Sequence, residues 1–233
     1  MIKDITILIQ GRCEEEQMQL WIDNYSDWNV IVSTWIDYDL NLNFPNNWKI
    51  IKSEYPNRFA DMQNIDLQLV STLNGLKEVQ TDYVIKVRGD EFFSNLDLVY
   101  NRMKEVHPKV LVSSIFFRPL GLYLYHISDH FMCSTTENIK LMFEKTYDLL
   151  TNHSKFNNCP ESHFGFSFIA AKENWDLYRC DKYHSVNDDM MLKWYSIFDV
   201  NQLNPYIFTQ SSPDGRIYYR DNYGYGNHHI KEL

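Results

Sequence analysis

Hydrophobic and polar positions along the chain fall into two rhythms. Short, near-continuous apolar runs mark buried strands: Ile5 to Ile9, Val30 to Ile36, Trp48 to Lys52, Tyr83 to Arg88 and Val110 to Phe117. Between them apolar residues recur at helical spacing. Glu14 to about Tyr25 is one such segment. Asp61 to Val79 is another, with Met62, Ile65, Leu69, Leu73 and Leu76 on one face. Leu96, Val99, Tyr100 and Met103 form a third, capped by Ser94 or Asn95. Strands that are apolar on both faces and alternate with helices predict an α/β domain with a mostly parallel central sheet. Asn74-Gly75, inside the second helix, is either a weak spot or a small residue where another element comes close.

Beyond Pro119 the pattern loosens. Tyr123 to Cys133 reads as a loop entering a strand, and Thr135 or Thr136 caps a helix from Glu137 to about Leu150. Asn157 to Pro160 is a turn, after which Glu161 opens a helical segment with Phe164, Phe168 and Ile169. Asn187 or Asp188 caps a helix holding Met191, Trp194 and Phe198. The tail from Pro213 carries Tyr218, Tyr219, Tyr223 and Tyr225 and runs to His228-His229, a pair that suits a metal or an unstructured terminus. No repeat or linker divides the chain, so residues 1–233 read as a single domain.

The run from Asp82 to Asp97 carries the most unusual chemistry. Side chains of a strand alternate between faces, so Lys86, Arg88 and Asp90 share one face and Ile85 and Val87 the other. Buried charge without a partner is costly, and ligands in open α/β sheets bind beyond the carboxyl ends of the strands. Asp90 is therefore the best candidate for a hard divalent ion, Mg²⁺ or Mn²⁺, while Lys86 and Arg88 suit a diphosphate. The alternative reading is a strand-to-helix turn with a solvated ion pair. Asp129-His130 could bind a metal or an acceptor hydroxyl, do acid–base work, or cap a turn. Glu161, just after a proline, could be a general base or a carboxylate favoured by the helix dipole.

Composition narrows the classes. Hydrophobic residues make up 44% of the 233, enough for a sizeable core, and the 16 tyrosines suit polar clefts as well as packing. A net charge of −9 argues against a broad nucleic-acid surface. Cys13, Cys133, Cys159 and Cys180 contain no CxxC pair, so a zinc site built on cysteines is not expected. Their wide spacing fits thiols in a reducing compartment, with disulfides left open. The chain enters a strand directly after Met1 and has no long apolar run. The expectation is a soluble cytoplasmic protein with no transmembrane segment and at most peripheral membrane contact.

Several of these pieces together resemble the WavE lipopolysaccharide-synthesis family of glycosyltransferase-type proteins. They are Ile7-Leu8-Ile9-Gln10-Gly11, Ser33-Thr34-Trp35, Asn64, Gln68, Ser71-Thr72, Gly75-Leu76, Tyr83 to Glu91, Ile127-Ser128-Asp129-His130 and Pro160-Glu161. The resemblance implies a GT-A-like (Rossmann-like) nucleotide-diphospho-sugar transferase domain. It gives a nucleotide-sugar-binding half over about 1–100 and an acceptor-binding half over about 101–233. Carried over residue by residue, Gln10, Gly11, Thr34 and Asp37 lie near base and ribose, with Asn64 and Gln68 also on the donor side. Asp90, with His130 as a second candidate ligand, binds Mn²⁺ or Mg²⁺; Glu161 is the base and Asp129 supports the acceptor. This chain has Arg-Gly-Asp where many nucleotide-sugar enzymes have Asp-x-Asp.

The leading expectation is thus a metal-dependent glycosyltransferase moving a sugar from a nucleotide-diphospho-sugar to a glycan or glycolipid acceptor, with no nucleic-acid partner. A sugar nucleotidyltransferase would need a longer basic glycine-rich loop than Gln10-Gly11-Arg12. A non-catalytic glycan- or nucleotide-sugar-binding domain on the same scaffold would suit the incomplete Asp-x-Asp and the aromatic surplus.

Overall fold

The computed structural model describes residues 4–60, 64–114, 123–152, 159–203 and 206–207. Nine strands are described: β1 (Ile5–Gln10), β2 (Asn29–Trp35), β3 (Trp48–Ser53), β4 (Tyr83–Arg88), β5 (Glu91–Phe92), β6 (Val110–Ser113), β7 (Phe131–Thr135), β8 (Tyr195–Phe198) and β9 (Tyr206–Ile207). The α-helices among the described residues are α1 (Glu15–Tyr25), α2 (Ile65–Leu76), α3 (Leu96–Val106), α4 (Thr136–Asn152), α5 (Pro160–Glu173) and α6 (Asn187–Trp194).

Seven strands form one sheet in the order β3-β2-β1-β4-β7-β6-β8, and β5 pairs with β9 in a small ribbon. The large sheet is parallel except for β7, which runs antiparallel to both β4 and β6. The strands expected from their apolar runs are buried because both faces are covered. Ile7, Ile9, Val30, Val32, Ile85 and Val87 point into one core with Met18, Trp21, Val99 and Met103 of α1 and α3. Leu8, Ile31, Val84, Val112 and Met132 point into the other, against α2, α4 and α5. The alternation of strand side chains thus feeds two cores, which is why these strands read as continuous apolar runs.

Three local expectations need correction. Asn95 sits at the α3 cap in a left-handed conformation, φ 58°, and makes no side-chain cap bond. Neither Asn187 nor Asp188 caps α6; the Asn187 side-chain oxygen instead accepts the backbone N–H of Tyr125 at 2.6 Å. Phe198 is not on that helix, because the chain leaves it after Trp194 and forms β8 on the open edge of β6. A Met191, Trp194, Phe198 pattern fits a helix, but Tyr195 and Phe198 bury equally well from a strand that satisfies its backbone on β6. Thr135 does cap α4, accepting from the Asn138 backbone at 3.2 Å. The outer part of the strand expected to reach Phe117, the first turn of the helix expected from Asp61, the Asn157–Asn158 turn and the tail with His228-His229 lie outside the described residues.

Gly75 is the close-approach glycine rather than a weak spot. A Cβ there would meet Leu8 Cδ1 at 2.3 Å and Ser33 Cβ at 3.1 Å, so α2 lies directly on β1 and β2. At Gly165 of α5 a Cβ would meet the Tyr125 carbonyl oxygen at 1.9 Å. Leu8 can shift its rotamer, whereas a backbone oxygen cannot. Gly75→Ala should therefore cost about 1–3 kcal/mol of unfolding free energy, and Gly165→Ala more. Urea denaturation checks the order, and a milder Gly165→Ala would show that the Tyr125 loop is not fixed against α5.

Candidate functional site

Because β1, β2 and β4 are parallel, Gln10, Trp35 and Arg88 end at the same edge of the sheet. The antiparallel β7 starts at that edge, with Val87 paired to Phe131, so the preceding Asp129-His130 arrives beside the end of β4. A cleft of about 360 Å³ opens there. Gln10, Gly11 and Arg12 line it from the end of β1, Trp35, Tyr38 and Tyr55 from beyond β2 and β3, and Asn64, Leu67 and Gln68 from the start of α2. Arg88, Asp90 and Asp129 close the remaining side.

The sequence expectation therefore brings Gln10, Gly11, Asn64, Gln68, Arg88, Asp90 and Asp129 into one cleft. Gln10 is fixed from below, its amide oxygen accepting from Ser71 Oγ at 2.7 Å. Gly11 has φ +93° and open space where a Cβ would stand, so the backbone there can approach a ligand. Asp37 is not part of the lining; it accepts from the hydroxyl of Tyr55, which is, at 3.0 and 3.1 Å. Tyr55 in turn stacks on Trp35, centroids 4.7 Å apart. Thr34 is fully buried and is not part of the lining. Nor is Lys86, whose ammonium is fully buried and donates to the backbone oxygen of Asp129 at 2.8 Å.

Charge is concentrated beside Arg88. Its guanidinium donates to both oxygens of Asp90, Nε at 2.9 Å and Nη2 at 2.7 Å. It also stands 3.5 Å from Glu91 and 3.7 Å from Asp129. His130 meets the buried carboxylate of Glu91 through Nδ1. Asp129 accepts from Gln68 at 3.0 Å. Burial pushes the Lys86 ammonium down to about 8, against the pull of Asp129. Burial alone would raise the Asp129 carboxyl, but Arg88, His130 and Lys86 overcome it and hold it well below the usual range.

Glu161, in the first turn of α5, lies outside the cleft lining but close enough to Asp129 for their charges to interact. Burial, then the Asp129 charge, raises its proton affinity. It accepts from the Cys159 thiol at 3.0 Å and faces His126 at 4.0 Å.

Sequence reasoning missed the aromatic wall of Trp35, Tyr38 and Tyr55, the Glu91–His130 pair and the His126–Cys159–Glu161 group. Trp35 lies near the end of the second apolar run and Cys159 stands two residues before Glu161, but spacing alone named neither. Among the described residues, neither Asp90 nor His130 belongs to a cluster of three potential metal ligands.

A family model for WavE lipopolysaccharide synthesis matches residues 24–203. The chain belongs to the WavE lipopolysaccharide-synthesis family. The match runs from the end of α1 to Leu203 and contains Asp90, Asp129 and Glu161, while Gln10 and Gly11 precede it. No curated protein matches the chain. The family description supports a role in sugar chemistry, and no helix among the described residues is long and apolar enough to cross a membrane.

The depressed Asp129 value has a definite sign. A carboxylate whose folded-state pKa is lowered adds stability above its unfolded value, near 3.8, and loses that stability as pH falls through the folded value. Asp129→Asn should cost on the order of 3 kcal/mol at neutral pH. The gap between variant and wild type should shrink below about pH 4. Urea unfolding across that range checks it; a gap that does not change with pH would remove the ionic role of Asp129.

Proposed function

We propose that this chain is a glycosyltransferase that takes a nucleotide-diphospho-sugar and transfers the sugar to a hydroxyl of a glycan or glycolipid acceptor in surface-polysaccharide synthesis. The observation that carries the reading is the cleft itself. It stands at the carboxyl edge of β1, β2 and β4 and combines aromatic and amide side chains with the carboxylates Glu14, Asp90 and Asp129, in a chain of the lipopolysaccharide-synthesis family. The nucleoside goes to the side made by Gln10, Gly11 and Tyr55, whose hydroxyl is held by Asp37. The diphosphate goes toward Arg88 and Asp90, and the acceptor toward Asp129 and Glu161.

The donor set fits a divalent ion brought in with the diphosphate. Both basic side chains of the cleft already face a carboxylate, Arg12 on Glu14 at 2.5 Å and Arg88 on Asp90. The added negative charge of a diphosphate therefore calls for a cation, and Asp90, partly open to the cleft, would hold Mg²⁺ or Mn²⁺ there. Such an ion would neutralise charge on the leaving diphosphate. Arg88 stays within reach of the same oxygens once Asp90 shares its charge.

Glu161 takes the proton of the acceptor hydroxyl as its oxygen forms a bond to the anomeric carbon and the bond from that carbon to the diphosphate oxygen breaks. Its burial makes it a stronger base than an exposed glutamate. Asp129, kept ionised by Arg88, His130 and Lys86, accepts a second acceptor hydroxyl and orients it. A single displacement of this kind inverts the anomeric configuration. The site draws on nucleotide sugars of the cytoplasm.

One observation favours a second reading, a nucleotide-sugar-binding domain without catalysis: both Asp90 oxygens are taken by Arg88. Calorimetry with a panel of nucleotide sugars, with and without Mn²⁺, paired with a transfer assay, separates the two. The transferase reading expects Mn²⁺ to strengthen donor binding and Asp90→Ala to remove that gain with the fold intact. Glu161→Gln should lose about 10²- to 10⁴-fold in transfer rate with donor affinity nearly unchanged. Binding without transfer to any acceptor glycan would favour the second reading. If Asp129→Asn loses more rate than Glu161→Gln, the two roles are exchanged.

A further inference from the structure

His126, Cys159 and Glu161 converge from two separate segments. His126 lies in the loop before β7, and Cys159 and Glu161 bracket the proline that begins α5. Their ligand atoms all lie within 4.8 Å of one another, the one such grouping of three among the described residues. Cys159 Sγ is 3.0 Å and His126 Nε2 is 4.0 Å from the same Glu161 oxygen, Oε2. Bonds of about 2.0–2.3 Å from a tetrahedral Zn²⁺ to S, N and O set neighbouring ligand atoms about 3.5 Å apart. The two separations from Glu161 straddle that value and Cys159 lies within 4.8 Å of His126, so shifts of up to about 1 Å would close the site.

We propose that His126, Cys159 and Glu161 form a binding site for a Zn²⁺-class transition-metal ion, separate from the ion that accompanies the donor at Asp90. The donor set decides the class. One sulfur, one imidazole nitrogen and one carboxylate oxygen suit Zn²⁺ and its neighbours, whereas Mg²⁺ and Mn²⁺ favour all-oxygen sites. Three protein ligands leave a fourth position for water or substrate, the pattern of exchangeable and catalytic ions rather than of closed structural ones. Anchoring supports it. His126 is 5% exposed. The backbone of its loop is fixed by the Asn187 bond to Tyr125 and by Gly165 packed on the Tyr125 carbonyl. The two α5 ligands are fixed by the helix. On binding, the proton shared between Cys159 and Glu161 leaves to solvent and sulfur bonds to the ion as thiolate.

A consequence rests on the transferase reading, although the ion site does not. A carboxylate bound to a divalent ion is a poor base, so a chain loaded with Zn²⁺ should transfer sugar slowly and recover once a chelator removes the Zn²⁺ and Mg²⁺ is supplied again.

Titration of the full, metal-stripped chain with Co²⁺ alone tests the site without an activity assay. One equivalent should give the near-ultraviolet charge-transfer absorption of a cobalt–thiolate bond, and added Zn²⁺ should bleach it. Cys159→Ser should lose that absorption. His126→Ala should bind Co²⁺ at least about tenfold more weakly, since even the outer partners of metal ligands are worth about 10- to 100-fold. If either variant fails to fold, iodoacetamide labelling of the wild type mapped by mass spectrometry decides instead: one equivalent of Zn²⁺ should protect Cys159. No thiolate absorption in the wild type, its persistence in Cys159→Ser, or unchanged labelling of Cys159 each overturns the proposal. A chain that binds Co²⁺ in this way yet, stripped of it and supplied with Mg²⁺, transfers no sugar overturns the transferase reading and leaves the ion site standing.

Discussion

Lys86 has no solvent exposure and lies on β4, the middle strand of the sheet, its ammonium on the backbone oxygen of Asp129. A buried cation of this kind is tolerable only with a partner, and the partner comes from the residues just before β7, the one strand that runs against the rest. If β7 were parallel, its start would lie at the other edge of the sheet and Lys86 would face apolar side chains of the α2–α4 core. The antiparallel β7 therefore solves an electrostatic problem created by β4. In doing so it delivers Asp129 to the edge where β1, β2 and β4 end. Arg88 extends the same logic outward, since its guanidinium ties Asp90, Glu91 and Asp129 into one arrangement.

This dependence explains how the site divides between rigid and adjustable parts. Lys86, Glu91 and His130 form the buried layer: His130 meets Glu91, and Lys86 meets the backbone oxygen of Asp129. Asp90 and Arg88 form a partly exposed layer above it. Their pairing is geometrically good, but an incoming anion or cation can share either partner without exposing an unpaired charge in the core. The outer layer is where ligand chemistry can happen at low cost, and the inner layer keeps its geometry while it does.

The fold was largely legible because its strands are covered on both faces. A strand such as Ile5 to Gln10, with Ile7 in one core and Leu8 in the other, has no polar face and cannot be mistaken for an amphipathic element. The direction of β7 was not legible, since nothing within Phe131–Thr135 encodes which neighbour it pairs with. Phe198 was misassigned for a similar reason: its helical spacing from Met191 and Trp194 is real, but the open edge of β6 outweighs it. At the site, the Lys86, Arg88, Asp90 row marked the strand end beside which the cleft opens. Yet spacing shows which side chains share a face and not whom they meet. Lys86 turned out to meet a backbone oxygen behind the cleft, and Arg88 to meet Asp90.

The same limit accounts for the group at the start of α5. Cys159 and Glu161 are two residues apart, a separation that in a helix places side chains on different faces. They meet only because Cys159 is still extended, φ −109°, when Pro160 begins the helix. His126 then closes on them from a loop whose backbone is fixed by Asn187, a residue expected to cap α6. The polar side chain that fails at its expected local task is thus the one that secures a distant loop. A helix can lose a side-chain cap at a cost of about 1 kcal/mol, whereas the buried N–H of Tyr125 left without an acceptor would cost about 1–3 kcal/mol. Leaving that N–H unsatisfied is the greater loss, so Asn187 points toward Tyr125 rather than toward its own helix, and His126 stands where that bond holds its loop.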